Sequence, residues 1–218
     1  RNRVIAPDII GFGFTQRPEN IQYSMDIWVK HIISFLDALG IEKVSIVGNS
    51  FGGALALTMA IKHPKKVDKM ILMGSVGIKF KLTDGLDKVW GYTPSIISMR
   101  ELLDLFAYDR SLVTDELSEI RYKASIRKGF QESFSSMFPS PRQRWIDSIS
   151  HSEEKLALIK HPTLIIHGRE DQIIPKENSI RLFNLINTAE LHMFGQCGHW
   201  TQIEHRDVFN RLVIDFLL

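Results

Sequence analysis

Two hydrophobic rhythms alternate along this chain. Short apolar or β-branched runs at 44–47, 70–73, 164–167 and 191–194 predict buried strands. Other segments carry apolar residues three and four positions apart. Over 24–39, Ile27, Trp28, Ile32, Phe35, Leu36 and Leu39 fall on one stripe, with Ser24 placed as N-cap and Gly40 as the terminating glycine. A helical pattern follows the 44–47 run, another joins the last two runs, and a last one extends over about 203–217. Repeated strand–helix units predict an α/β fold: a mostly parallel sheet with helices on both faces. Val4-Ile5-Ala6, at the start, also has the pattern of a buried strand.

Residues 77–150 break the rhythm. They carry helical patterns, at 98–107 and 114–127 among others, many aromatics and no convincing strand. An insertion between two strands of a parallel sheet predicts a helical lid over an apolar pocket. The division expected is a core domain over 1–76, the lid over 77–150 and the rest of the core over 151–218.

Composition narrows the class. A 44% hydrophobic share with 24% charged residues suits a globular domain, and 218 residues can bury one substantial core. A net charge of +2 gives no footprint for nucleic acid. No apolar run is long enough to span a bilayer, so no membrane partner is expected. Cys197 is the only cysteine, which rules out an internal disulfide and fits a reducing, cytoplasmic setting. No H-E-x-x-H or C-x-x-C spacing is present, so no metal and no cofactor is expected.

The chemistry concentrates at Gly48-Asn49-Ser50-Phe51-Gly52-Gly53. A G-x-S-x-G turn between a strand and a helix is a nucleophile elbow: the serine sits on a strained turn at the end of the sheet. Gly48 and Gly52 are expected to permit close approach of strand and helix, because neither has a Cβ. The helix N-terminus favours developing negative charge, and the Phe51 N–H is the expected oxyanion donor. A serine needs a base and an orienting acid, which in this fold follow in the order Ser, Asp, His. Asp171 follows the 164–167 strand, with Glu170 as the alternative acid, and His199 follows the 191–194 strand. His167 reads as a packed residue.

Several blocks together carry a family resemblance. They are Gly48 through Gly53, Leu72-Met73-Gly74-Ser75, Phe106-Ala107-Tyr108-Asp109, Arg121, His167 through Asp171, and Phe194-Gly195-Gln196-Cys197-Gly198-His199-Trp200. Over essentially its whole length the chain resembles the meta-cleavage product hydrolases of the α/β-hydrolase fold, most closely those acting on monoalkyl products. The resemblance implies a small-molecule 2-hydroxy-6-oxohexa-2,4-dienoate substrate, cleaved between C5 and C6. It implies that Arg121 and Asn49 hold the polar dienoate end and that Trp200 and Phe106 flank the substrate. Val76 and Ile173 are expected to line its apolar end, with core packing as their alternative. Family members are often dimers or larger, so a homo-oligomer is expected. A carboxylesterase or lactonase on the same triad, or a truncated, inactive binding domain, stands as the alternative. In such folds a second oxyanion donor comes from a His-Gly-type loop after an earlier strand. That loop does not occur in the sequence, which also lacks an initiator Met, so an N-terminal portion carrying further strands is expected to be missing and the 218 residues alone to be inactive or poorly folded.

Overall fold

The structure is a computed structural model and describes residues 2–218. The elements run α1 (Met25–Ala38), β1 (Val44–Asn49), α2 (Phe51–Lys62), β2 (Val67–Met73), then α3 (Asp84–Trp90), α4 (Ile96–Phe106), α5 (Asp115–Ser125), α6 (Phe130–Met137), α7 (Gln143–Ser148) and α8 (Glu153–Ala157). They continue with β3 (Thr163–Gly168), α9 (Lys176–Leu185), β4 (Ala189–Phe194), α10 (Thr201–Glu204) and α11 (Arg206–Leu217). The four strands form one parallel sheet in the order β1-β2-β3-β4.

Strand alternation divides the core. Met70, Leu72 and Ile165 belong to a large cluster with α1, α2 and α9, whereas Ile71, Met73, Leu164 and Ile166 point to the other face and pack on Phe209 of α11. β2 and β3 are therefore apolar on both faces, as parallel strands covered by helices must be. On β1, at the edge, Val47 shares the face of Ile71 but is 50% exposed.

Local chemistry sets the element ends. Ser24 caps α1 by accepting the Ile27 N–H, and Thr83, Ser95 and Thr114 cap α3, α4 and α5 in the same way. The insertion between β2 and β3 contains helices and no strand. Its two ends meet, since the His151 N–H donates to the Gly77 carbonyl at 2.9 Å, and the His151 ring is held by Thr58 Oγ1 of α2 at 2.8 Å.

Two sequence expectations are corrected. Residues 4–6 form no strand, and Val4 is 87% exposed. An apolar triplet becomes a strand only beside a hydrogen-bonding neighbour, and the edge strand β1 pairs with β2 alone. The last helical stretch is broken at His205 (φ −122°), which separates α10 from α11.

Candidate active site

The site stands at the C-terminal ends of β1, β3 and β4, where parallel α/β sheets bind their ligands. Ser50 turns the chain from β1 into α2 with φ 54° and ψ −112°. A positive φ at a residue with a Cβ is strained by about 1–3 kcal/mol and persists only where its surroundings impose it. Here they do. The Ser50 N–H donates to the Met73 carbonyl at 2.8 Å, and the Ser50 carbonyl accepts from Gly53 N at 3.0 Å and Val76 N at 3.2 Å.

Gly48 belongs to the close approach, as expected, but its counterpart is Gly53 and not Gly52. A Cβ on Gly48 would stand 2.5 Å from the Gly52 carbonyl carbon and 2.8 Å from Gly53 N. A Cβ on Gly53 would stand 2.5 Å from Ser75 Cβ, whereas one on Gly52 meets nothing within 4 Å. The rotation of α2 about its own axis decides which glycine faces Ser75, just beyond the end of β2.

Behind the elbow, His199 Nδ1 lies 2.7 Å from Asp171 Oδ2, and the side chains are only 2% and 1% exposed. The other oxygen, Oδ1, accepts the N–H groups of Ile173 and Ile174 at 2.8 and 3.0 Å. A carboxylate receiving two main-chain donors is held in one rotamer, and it fixes the proton of His199 on Nδ1, leaving Nε2 as the basic nitrogen. Burial opposes ionisation of Asp171, but the His199 and His167 rings outweigh it, and its pKa is held far below the usual carboxylate range.

His167 is the residue that sequence reasoning underestimated. Fully buried, it points Nε2 at Asp171 Oδ2 (3.2 Å) and at the Ile174 carbonyl (3.1 Å), and Nδ1 at Ser179 Oγ (2.6 Å). Two acceptors at Nε2 require the proton there, so the Ser179 hydroxyl donates to Nδ1. Asp171 thus serves two imidazoles. The available signal was the His167-x-x-x-Asp171 spacing at a strand end. Glu170, the alternative acid, is occupied elsewhere: its Oε2 accepts the Cys197 N–H at 3.0 Å and its Oε1 pairs with Arg169.

The imidazole and the elbow are neighbours through Gly74. A Cβ there would stand 3.1 Å from His199 Nδ1 and 3.0 Å from Asp171 Oδ2, and Gly74 directly follows the Met73 carbonyl that holds Ser50 N. Among the described residues the Ser50 hydroxyl has no hydrogen-bond partner. Such contacts commonly close only with substrate in place. Phe51 N is the first amide of α2, free of helical pairing and therefore available to an oxyanion.

The remaining candidates divide. Phe106 lies 5.5 Å from the His199 ring and stacks on Trp200 at 5.5 Å and 14°, and both join Leu103, Tyr92 and Val113 in an apolar cluster. Asn49 donates from Nδ2 to the Met73 carbonyl at 3.2 Å, which leaves its amide oxygen for a ligand. Val76 and Ile173 are buried in the main core cluster. Arg121 is exposed on α5, and the neighbouring acids are engaged elsewhere, Asp115 with Arg100 and Glu119 with Lys123. Cys197 is buried, and burial together with the Glu204 carboxylate pushes its thiol pKa up, which makes it a poor nucleophile. No group of residues suited to a metal ion occurs among the described residues, and no helix is long and apolar enough to cross a membrane.

Comparison with known proteins agrees with this geometry. The family model for the alpha/beta hydrolase fold matches residues 1–206. The chain is 60% identical to a 2-hydroxy-6-oxo-2,4-heptadienoate hydrolase of Pseudomonas putida, over 99% of this chain and 78% of that one. It is 59% identical to a 2-hydroxymuconate semialdehyde hydrolase of a Pseudomonas species, over 99% and 76%. Its fold superposes with a TM-score of 0.96 on a meta-cleavage product hydrolase from Pseudomonas fluorescens, solved as a serine-to-alanine variant complexed with acetates, at 63% identity over 97% of this chain and 78% of that one. A strained serine at a strand–helix elbow, a buried imidazole–carboxylate pair behind it and this degree of likeness lead to one conclusion: the chain belongs to the α/β-hydrolase fold family and, within it, to the meta-cleavage product hydrolases.

Proposed function

We propose that the protein hydrolyses the C5–C6 bond of 2-hydroxy-6-oxohexa-2,4-dienoates, with Ser50 as nucleophile, His199 as base and Asp171 as orienting acid. The observation that carries the assignment of roles is the 2.7 Å His199–Asp171 pair, buried beyond the C-terminal ends of β3 and β4, at the same end of the sheet where β1 presents Ser50. The substrates named for the two relatives carry a methyl group or a hydrogen on C6, so a small C6 substituent is the reading for this chain.

Ketonisation of the dienol comes first. A proton moves from the 2-hydroxyl to C5, with His199 as its carrier, and leaves a C5–C6 bond between the C6 carbonyl and the γ-carbon of a C2 enone, which can accept the electron pair when the bond breaks. Ser50 then adds to the C6 carbonyl while Nε2 of His199 takes its proton. The oxyanion is met by the Phe51 N–H and the N-terminus of α2. Collapse breaks C5–C6, and the electron pair leaves on C5 as a dienolate that is reprotonated to 2-hydroxypenta-2,4-dienoate. Water, deprotonated by His199, frees the acid from Ser50. Throughout, Asp171 holds the ring and stabilises its imidazolium form.

Residues 77–150 are proposed as the lid, with Phe106 and Trp200 against the diene, Asn49 and Arg121 at the carboxylate end, and Val76 and Ile173 towards the C6 group. Arg121 suits a carboxylate because its planar guanidinium donates two parallel hydrogen bonds. That it forms no ion pair among the described residues supports this role. A cytoplasmic location accords with the single buried thiol.

The test is loss of the yellow dienoate's visible absorbance, with Ser50→Ala as the comparison. The wild type clears the colour and releases a carboxylic acid, and the variant does not. Turnover of p-nitrophenyl esters without dienoate cleavage would establish the esterase reading instead.

A further inference from the structure

The carboxylate of Glu204, on α10, joins two segments that belong to different parts of the fold. Its Oε1 accepts the Gly198 N–H at 2.7 Å. Its Oε2 accepts the N–H groups of Tyr108 and Asp109 at 2.7 and 2.9 Å. Gly198 precedes the base, His199, while Tyr108 and Asp109 follow the C-terminal end of α4 in the insertion. A fourth bond runs the other way, from the His199 N–H to the Phe106 carbonyl at 2.7 Å. The fit is close: a Cβ on Gly198 would stand 2.5 Å from the Phe106 carbonyl oxygen and 2.9 Å from Tyr108 N. Across this seam the Phe106 ring stacks on Trp200 and faces the His199 ring.

We infer that Glu204 is a positioning residue that fastens the end of α4 to the His199 loop, so that the insertion and the base move as one body. Three main-chain donors on one carboxylate are charge-assisted bonds, each stronger than a neutral pair. They leave the Phe106–Asp109 segment little freedom to shift without dragging Gly198 and the imidazole beside it. Closure of α4 over a substrate is thereby also alignment of the base. A substrate that draws α4 into place receives a correctly set His199, and one that does not finds the ring displaced. A misplacement of about 1 Å at a catalytic group can lower the rate about a hundredfold.

This rests on the reading of 77–150 as a lid and of His199 as the base. Glu204→Gln is the probe, because it keeps the size of the side chain, retains one acceptor oxygen and turns the other into a donor that repels its N–H partners. Kinetics on the dienoate and the far-downfield proton resonance of the His199 Nδ1–H are measured together. The expected result is a folded variant with kcat lowered at least tenfold, KM changed less than threefold, and the resonance shifted or broadened. A purely structural role would lower the unfolding temperature while leaving kcat per folded molecule and the resonance alone, and that outcome overturns the inference. If Glu204→Gln does not fold, Gly198→Ala forces the same seam apart from the opposite side and is read by the same two signals. A wild type that fails to cleave the dienoate refutes the functional reading, whereas the resonance still reports on the link between Glu204 and His199.

Discussion

Replacing Gly48 by alanine places one methyl group where strand and helix touch. Its carbon would stand 2.5 Å from the Gly52 carbonyl carbon, against about 3.4 Å for ordinary contact, so backbone must retreat by roughly 0.9 Å. The obstacle is main chain at the first turn of α2, which has no alternative rotamer. Overpacking of this kind costs about 3 kcal/mol, the upper end of the usual range. For a chain of this size that corresponds to a fall in unfolding temperature of about 6–12 °C. The displaced helix start carries both Ser50 and the Phe51 N–H, so kcat should fall about a hundredfold in what remains folded. Gly52→Ala is the matched control. Its Cβ meets nothing within 4 Å, its φ is not positive, and alanine favours a helix by up to about 1 kcal/mol over glycine. Its unfolding temperature should be unchanged or higher. Calorimetry on both variants with the dienoate assay decides the matter: a Gly48→Ala protein with wild-type melting and turnover would refute the close-approach argument.

Three further outcomes follow from the site. Asp171 has a folded pKa below its unfolded value near 4, so its contribution to stability is fully present above about pH 4 and is lost as pH falls towards the folded value. Urea unfolding between pH 7 and pH 3 should show the gap between wild type and Asp171→Asn narrowing only below about pH 4, and kcat of that variant at neutral pH should be lower by about 10⁴. His167→Phe strands Ser179 and removes one donor from Asp171, which should cost about 1–3 kcal/mol in denaturant unfolding and lower kcat; unchanged values in both would make the second imidazole inert. Arg121→Gln, at an exposed position, should leave stability within about 0.5 kcal/mol yet raise KM for the dienoate about ten- to a hundredfold, and an unchanged KM would remove Arg121 from the carboxylate end.

Much of this architecture was legible in the sequence because its signals are local. A strand run, a glycine-flanked serine and an apolar helix in direct succession leave one arrangement for Ser50, and Ser24 announces a helix start through its own hydroxyl. What was not legible depends on contacts between distant segments. The apolar triplet at 4–6 looks like a strand, but pattern alone does not supply a partner. The choice between Gly52 and Gly53 rests on the rotation of α2 against Ser75, which no periodicity encodes. His167 looked like core because its spacing of four from Asp171 does not by itself reveal that its ring reaches the same oxygen as His199. Nothing in the sequence singles out Glu204, since its partners at Tyr108 and Asp109 are about a hundred positions away.

The insertion leaves the sheet at Gly77 and returns at His151, where a single main-chain hydrogen bond joins exit to entry. For the sheet, everything between these points is a loop already closed. The entropy of closing a loop grows only with the logarithm of its length, about 0.6 kcal/mol per doubling. Lengthening, shortening or exchanging the helices inside that gate therefore asks little of β2 and β3. Specificity can be grafted as a cassette between two fixed posts, provided that each new insert rebuilds both the seam towards the base and the apolar side that packs on α1 and α2 through Phe138 and Ile146.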